Sequence, residues 1–224
     1  GLTVTEQGVC SNCYRHLPRT GFWRQPLDNV MARMFWGQME VEKVAALFFF
    51  EPGSETAQLV YKMKYGGQPE LAIYMGRMMG SELELSHFFD TIDLIVPIPL
   101  AKKRERQRGY NQSRCIAQGL CQVTGLAICD RAVKRTAFKI SQMHIGRWER
   151  QENVAGVFSV TDAEAIGGRH LLLVDDVVTT GATVVACGRE LLKAGAEKLS
   201  ILSLGFTGQW TTQNIPSQEG FSPG

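Results

Sequence analysis

Residues 171–183 read Leu-Leu-Leu-Val-Asp-Asp-Val-Val-Thr-Thr-Gly-Ala-Thr, and this stretch decides the fold. The apolar run 171–174 has the length and branching of a buried strand. Two adjacent carboxylates, Asp175 and Asp176, follow this run, and a short loop of hydroxyl-bearing residues and glycine then opens a helical pattern over about 181–194. A strand that ends in carboxylates and a loop before a helix is typical of a site for a sugar that carries a phosphate.

The loop and the start of the helix suit an anion because a helix N-terminus offers free N–H groups and partial positive charge. Gly181 allows close backbone approach, and the hydroxyls of Thr179, Thr180 and Thr183 add donors. The neighbouring carboxylates suit sugar hydroxyls or Mg²⁺. The alternative is an ordinary strand, turn and capped helix, since Asp and Thr are common at helix caps.

All thirteen positions of 171–183 resemble the signature of the type I phosphoribosyltransferases, which bind 5-phosphoribosyl 1-diphosphate (PRPP). The resemblance implies that Asp175 and Asp176 are the candidate catalytic residues and hold the ribose 2- and 3-hydroxyls. It also implies that Mg²⁺ accompanies PRPP. The residues that would wrap the 5-phosphate are Thr179, Thr180, Gly181, Ala182 and Thr183.

A second informative stretch is 96–112, where five of the seven residues 102–108 are basic. We expect these residues to form a loop between a strand over 92–98 and a helix that begins near Asn111. This placement favours a focused anion site, because a diphosphate needs several cations and arginine offers two-pronged contacts. The alternatives are a solvated basic face and contact with DNA. The candidates for diphosphate binding are Lys103, Arg104, Arg106 and Arg108.

The pattern Val-Pro-x-Pro-Leu followed by Arg-x-Arg-Gly-Tyr-Asn-Gln in 96–112 resembles the ComF family, which is related to GntX. The motif Lys62-x-Lys64-Tyr65-x-Gly67 fits the same family. ComF proteins are phosphoribosyltransferase-like and are linked to natural DNA competence. The resemblance implies three alternatives: a phosphoribosyltransferase with an unknown nitrogen acceptor, a non-catalytic sensor of PRPP or a nucleotide, or an accessory protein that binds single-stranded DNA or a helicase during transformation.

The polar segment 134–153 has no clean period, and we expect it to form a hood that closes over the site and excludes water. Its candidate residues are Arg135, Gln142 and Arg147.

Strands that alternate with helices predict an α/β fold with a mostly parallel sheet flanked by helices, as in the type I phosphoribosyltransferases. Three parts are expected: a partial zinc-ribbon-like N-terminal segment over 1–40, a phosphoribosyltransferase-like domain over 41–207, and a disordered tail over 208–224. Ligands of such sheets lie at the carboxyl ends of the strands.

Cys10 and Cys13 supply half of the four ligands that tetrahedral zinc takes. We therefore expect an empty half site in this chain, and Zn²⁺ only in a longer native protein. The other four cysteines are scattered in apolar patterns, which is typical of a reduced cytoplasmic protein. The net charge of +2 and the absence of a run of 18 apolar residues give no reason to expect a membrane partner.

Overall fold

A computed structural model of the chain describes residues 4–5, 8–9, 11–136 and 156–208. A short 3₁₀ turn covers Phe22–Arg24. The remaining helices and strands are, in chain order, β1 Val4–Thr5, β2 Gly8–Val9, α1 Ser11–His16, α2 Val30–Arg33, β3 Val44–Phe49, α3 Glu55–Tyr65, α4 Pro69–Glu84, β4 Leu94–Pro97, α5 Lys102–Arg108, α6 Gln112–Thr124, β5 Ala127–Ile128, β6 Val133–Arg135, β7 Phe158–Val160, β8 His170–Val178, α7 Ala182–Lys193 and β9 Lys198–Phe206.

The main sheet has five strands in the order β3-β9-β8-β4-β5, and every neighbouring pair is parallel. The prediction of an α/β fold with a parallel sheet is therefore confirmed. The central strands β8 and β9 are mostly apolar and are buried over most of their length, as expected for strands with both faces covered.

The sheet is staggered where β8 passes its neighbour. The last paired residues of β4 and β8 are Pro97 and Val174, whereas β8 stays paired with β9 as far as Val178. From Asp175 onward, β8 therefore extends past the end of β4, and this stagger leaves an open crevice at the carboxyl edge of the sheet.

Two glycines allow a close contact between the helices α4 and α6. A Cβ atom on Gly119 would lie 2.0 Å from the carbonyl oxygen of Ile73, and one on Gly76 would lie 2.1 Å from the carbonyl oxygen of Ile116. Helix α6 in turn packs against β4 and β8, and α7 packs against β8 and β9. The close approach of α4 fixes α6, whose first turn contributes to the site described below.

The N-terminal segment shares its core with the sheet. Met31 and Phe35 are fully buried in the same apolar cluster as β3. The N–H of Thr20 donates to the carbonyl oxygen of Leu47 at 3.0 Å. Residues 11–39 are thus built onto the edge strand β3 and are part of the main body of the protein.

The predicted zinc half site lies partly outside the described residues, because Cys10 is not among them and Cys13 is. Within the described ranges, no group of three or more His, Cys, Asp or Glu side chains is placed to hold a metal ion. Because Cys10 lies outside the described residues, the half site stays a prediction, as does the expectation of zinc in a longer protein.

The interpretation of 101–108 as a loop is wrong, because this stretch forms the helix α5. Lys, Arg, Glu and Gln are good helix formers, and Gly109, with φ of 83°, ends the helix in the left-handed conformation. The helix keeps the basic residues together but divides them among different faces.

The predicted hood falls mostly outside the described residues, and Gln142 and Arg147 with it. Its described flanks form the antiparallel pair β6–β7, which includes Arg135. The predicted tail also lies outside the described residues, apart from Gly208. No helix in the described part of the chain is long and apolar enough to cross a membrane.

Candidate functional site

The acidic pair lies in the crevice at the carboxyl end of β8, where both side chains are half-buried. Asp175 Oδ1 accepts a hydrogen bond from the Ser113 hydroxyl at 3.0 Å and another from the Asp176 N–H at 2.9 Å. Asp176 Oδ1 accepts from the Val177 N–H at 2.7 Å. The first turn of α6 and the strand's own backbone therefore orient the two carboxylates.

A lysine forms an ion pair with one of the two carboxylates. The ammonium of Lys64, at the end of α3, lies 3.0 Å from Asp176 Oδ2, and the two side chains are 22% and 14% exposed. This ion pair is largely shielded from water, so it is screened less by salt than a surface pair.

The surroundings of Asp175 change its pKa. Burial, followed by the nearby charge of Asp176, raises the pKa of Asp175 to about 7. The Asp176 N–H, the Ser113 hydroxyl and the Lys64 ammonium oppose this rise in the pKa. The pair therefore carries less than two full negative charges at neutral pH.

The loop after β8 that was predicted to bind a phosphate is a tight turn before a helix. Thr179 and Thr180 are exposed, and Gly181 has a φ of 73°, which favours glycine. A Cβ atom on Gly181 would also lie 3.0 Å from Phe35 Cε1, so the loop is folded tightly onto the N-terminal segment. Helix α7 starts directly after this glycine without a side-chain cap.

A small concavity of about 40 Å³ opens at this loop. Gly181 provides no side-chain cap, so N–H groups of the first turn of α7 can face a ligand there, while the Ala182 N–H lies 3.5 Å from Thr180 Oγ1. Its lining residues are Asp175, Val177, Val178, Thr179, Thr180, Gly181, Ala182, Thr183 and Val184. All five residues predicted to wrap a phosphate are therefore in contact with one space beside the acidic pair.

Two of the four predicted diphosphate-binding residues have defined surroundings near the site. Arg108 donates to Gln112 Oε1 at 2.8 Å, and its guanidinium lies 5.2 Å from the centre of the Tyr65 ring. Arg104 is close enough to Arg135 for its charge to lower the Arg135 pKa, although burial of Arg135 lowers it more. Lys103 and Arg106 are exposed on α5.

A cleft of about 180 Å³ lies at the ends of β4 and β5. Its lining includes the cations Lys102, Lys134 and Arg135 and the ion pair between Arg114 and Asp130. The charge of Asp175 raises the pKa of Arg135, against the larger lowering by burial and by the charge of Arg104, so Arg135 of this cleft interacts electrostatically with Asp175. Lys102 and Lys134 were not among the predicted site residues.

Sequence reasoning also missed Lys64 and Ser113 as site residues. Lys64 belongs to the quoted motif Lys62-x-Lys64-Tyr65-x-Gly67, and Ser113 directly follows the Gly-Tyr-Asn-Gln segment. Both residues lie within or next to segments already singled out, and this proximity was the available signal. Their contacts with β8 join residues 62 or more positions apart in the chain.

The chain is similar in sequence to several known proteins. DNA utilization protein YhgH of Salmonella typhimurium is 30% identical over 213 residues, which span 91% of this chain and 92% of that protein. Competence protein F of Haemophilus influenzae is 25% identical over 218 residues, with the same shares of the two chains. Competence protein ComFC of Bacillus subtilis is 31% identical over 104 residues, which span 46% of this chain and 39% of that protein. No protein-family model matches the chain.

The fold and the site define a parallel α/β protein whose carboxyl edge bears an acidic pair beside an uncapped helix N-terminus. Together with the relatives above, they show that the chain belongs to the ComF family.

Similarity to solved structures is weaker. A glutamine PRPP amidotransferase from Bacillus subtilis, in complex with ADP and GMP, gives a TM-score of 0.44 at 16% identity and covers 64% of this chain and 30% of that one. An adenine phosphoribosyltransferase gives a TM-score of 0.37 at 16% identity and covers 65% and 75% of the two chains.

Proposed function

We propose that this protein binds PRPP at the carboxyl edge of β8 and transfers its phosphoribosyl group to a nitrogen acceptor. One observation supports the proposal above all others. A single strand-loop-helix segment places the acidic pair of Asp175 and Asp176 beside a concavity that is lined by the whole of 179–183. A ligand with a sugar and a terminal phosphate matches these two parts of the site.

The chain's own groups would act by position and charge. Asp175 and Asp176 would accept hydrogen bonds from the ribose hydroxyls, and the N–H groups and hydroxyls of 179–183 would hold the 5-phosphate. During transfer, the bond from the anomeric carbon to the diphosphate breaks and the diphosphate takes the electron pair. The acceptor nitrogen bonds to that carbon and loses a proton. Negative charge beside the sugar favours the positive charge that develops on it.

The leaving diphosphate needs cations, and the structure offers two groups of them. Helix α5 supplies Arg104 and Arg108, which were expected for this role. The adjoining cleft supplies Lys102, Lys134 and Arg135. We assign the diphosphate to the space between these groups, because guanidinium groups bind phosphate oxygens through two parallel hydrogen bonds.

The donor set also fits Mg²⁺. Magnesium binds oxygen ligands and is usually held by one or two carboxylates together with substrate phosphates. Asp175 and Asp176 are the carboxylates in place. When bound, the ion would neutralise charge on the diphosphate, while the residues of the chain orient the sugar and the 5-phosphate.

Calorimetric titration with PRPP in the presence of Mg²⁺ tests the binding step. The double variant Asp175→Asn with Asp176→Asn removes the charge of the pair at constant shape, and we expect it to abolish PRPP binding while the circular dichroism spectrum stays native. The variant Asp90→Asn is the control, because it removes an exposed carboxylate that precedes β4. Unchanged affinity in the double variant would contradict the proposal.

Release of diphosphate from PRPP tests the transfer step. We expect release to depend on one member of a panel of bases and amines. If PRPP binds and no acceptor releases diphosphate, the protein is a sensor of PRPP and its catalytic assignment is wrong. Since relatives carry the names DNA utilization protein and competence protein, we place either activity in the handling of incoming DNA.

A further inference from the structure

The last turn of α3 makes the charged contact to the acidic pair. Lys64 Nζ lies 3.0 Å from Asp176 Oδ2, and both side chains are shielded from solvent. Asp175, by contrast, is bonded by neutral donors, the Ser113 hydroxyl and the Asp176 N–H. Among the described residues, Lys64 is the cation that forms an ion pair with the acidic pair.

Asp176 is held at both oxygens. Oδ1 accepts the Val177 N–H at 2.7 Å, and Oδ2 receives the Lys64 ammonium. Two fixed donors on the two oxygens define the plane of the carboxylate. Because each carboxylate oxygen has two lone pairs, this arrangement still leaves acceptor capacity for a sugar hydroxyl.

The turn that carries Lys64 is itself anchored on both sides of that residue. The carbonyl oxygen of Met63 accepts the Tyr110 hydroxyl at 2.5 Å and the Gln112 side-chain amide at 3.4 Å. The ring of Tyr65 lies under the guanidinium of Arg108. Lys64 is therefore presented to Asp176 from a turn that also contacts the end of the basic helix α5.

From these contacts we propose that Lys64 is a positioning residue, which sets the orientation of the Asp176 carboxylate for the sugar of the ligand. This inference rests on the proposed function and adds a residue to it. Lys64 acts through Asp176 and is not assigned a contact with the reacting atoms. Loss of the ammonium would free the carboxylate to rotate and would leave the two acids without their paired cation.

The test is calorimetric titration of Lys64→Met, Lys64→Arg and Lys62→Met with two ligands, PRPP and inorganic diphosphate, each with Mg²⁺. Methionine keeps the length and helix propensity of lysine, so α3 is retained. We expect Lys64→Met to weaken PRPP binding by about 10- to 100-fold, by analogy with the loss seen when a residue that orients a metal ligand is removed. Lys64→Arg keeps the charge and should recover most of this loss, and Lys62→Met on the same helix should bind PRPP like the wild type.

Inorganic diphosphate separates positioning from direct binding, because it has no sugar. We expect Lys64→Met to bind it like the wild type, and an equal loss for both ligands would overturn the inference. A double-mutant cycle with Asp176→Asn adds a second criterion. If Lys64 acts through Asp176, the double variant loses no more affinity than the worse single variant, whereas additive losses overturn the inference.

The outcomes also separate this inference from the proposed function. A wild-type protein that does not bind PRPP overturns the proposed function, and the role of Lys64 with it. A wild-type protein that binds PRPP, together with a Lys64→Met variant that binds it equally well, overturns the role of Lys64 alone.

Discussion

At the scale of single residues, the two adjacent carboxylates of the site have different surroundings. Asp176 is paired with Lys64, whereas the hydrogen-bond donors to Asp175 in the described part of the chain are neutral, and the charge of Asp176 lies nearby. Adjacent positions in a strand normally point to opposite faces of the sheet, so each acid meets a different set of partners. The difference should be measurable as a dependence of stability on pH.

The raised pKa of Asp175 predicts that the stability of the folded protein falls as the pH rises. The folded protein holds this proton more tightly than the unfolded chain, so the group stabilises the fold at low pH. That contribution is lost as the pH rises from the ordinary carboxyl pKa of about 4 to the folded value of about 7. Asp175→Asn should remove this loss, because asparagine keeps the oxygen that accepts from Ser113 and carries no charge.

Urea unfolding at pH 5 and pH 8 measures the effect. We expect Asp175→Asn to be more stable than the wild type at pH 8 and the difference to shrink at pH 5. The control is Glu84→Gln, which removes an exposed carboxyl and should leave the pH dependence unchanged. A variant that is less stable than the wild type at pH 8 would show that Asp175 is not under electrostatic strain.

At the scale of elements, the packing of α4 on α6 positions Ser113 against β8. Gly119→Ala would push a methyl group to 2.0 Å from the carbonyl oxygen of Ile73, and backbone on both helices would have to move. We expect the free energy of unfolding to fall by at least about 2 kcal/mol, as for other overpacked sites. Chemical denaturation measures it.

Gly167→Ala is the matched control for Gly119→Ala. A methyl group on Gly167 would meet its nearest atom, the carbonyl oxygen of Ala163, at an ordinary 3.4 Å. This variant should stay within about 1 kcal/mol of the wild type, because restricting the unfolded chain offsets small local costs. If both variants lost the same free energy of unfolding, the packing of α4 on α6 would not be as close as described above.

The local sequence pattern predicted the strands and helices around the site, namely the strands over 92–98 and 171–174 and the helices that begin near Asn111 and Gly181. Asn111 caps α6 and Gly181 directly precedes α7, as their residue types indicate. The charge of 102–108 suggested a loop, yet these residue types also favour a helix, and no local signal separates the two. The composition of 102–108 therefore does not decide between a loop and a helix.

The parts of the site on one continuous segment could also be predicted, since 175–183 are neighbours in the chain. The contacts of Lys64 and Ser113 could not be predicted in this way, because they depend on how α3 and α6 pack against β8. The cations Lys102 and Lys134 were missed for the same reason. Their common cleft exists only once β4, β5 and β6 are assembled.

At the scale of the whole molecule, the N-terminal segment 11–39 contacts the main body through hydrogen bonds and an ion pair to Glu82 on α4. The Tyr14 hydroxyl donates to one oxygen of Glu82 at 2.7 Å, and Arg19 Nε lies 2.6 Å from the other. The Arg19 guanidinium also lies over the Tyr14 ring, 4.6 Å from its centre. This cluster joins a segment near the start of the chain to a central helix.

Glu82→Ala should therefore cost stability while the protein still unfolds in one transition. We expect a loss of about 1 to 2 kcal/mol, because two partly buried groups lose their partner. Glu84→Ala, an exposed position on the same helix, should cost less than about 0.5 kcal/mol. Two separate transitions in Glu82→Ala, seen by circular dichroism and tryptophan fluorescence together, would show that the N-terminal segment unfolds independently.

The whole account depends on what occupies the crevice beside β8. A crystal structure of the protein with PRPP and Mg²⁺ tests this directly. The account predicts the ribose hydroxyls within hydrogen-bond distance of Asp175 and Asp176 and the 5-phosphate in the concavity of 179–183. Density for PRPP at another surface, with this concavity filled only by water, would contradict it.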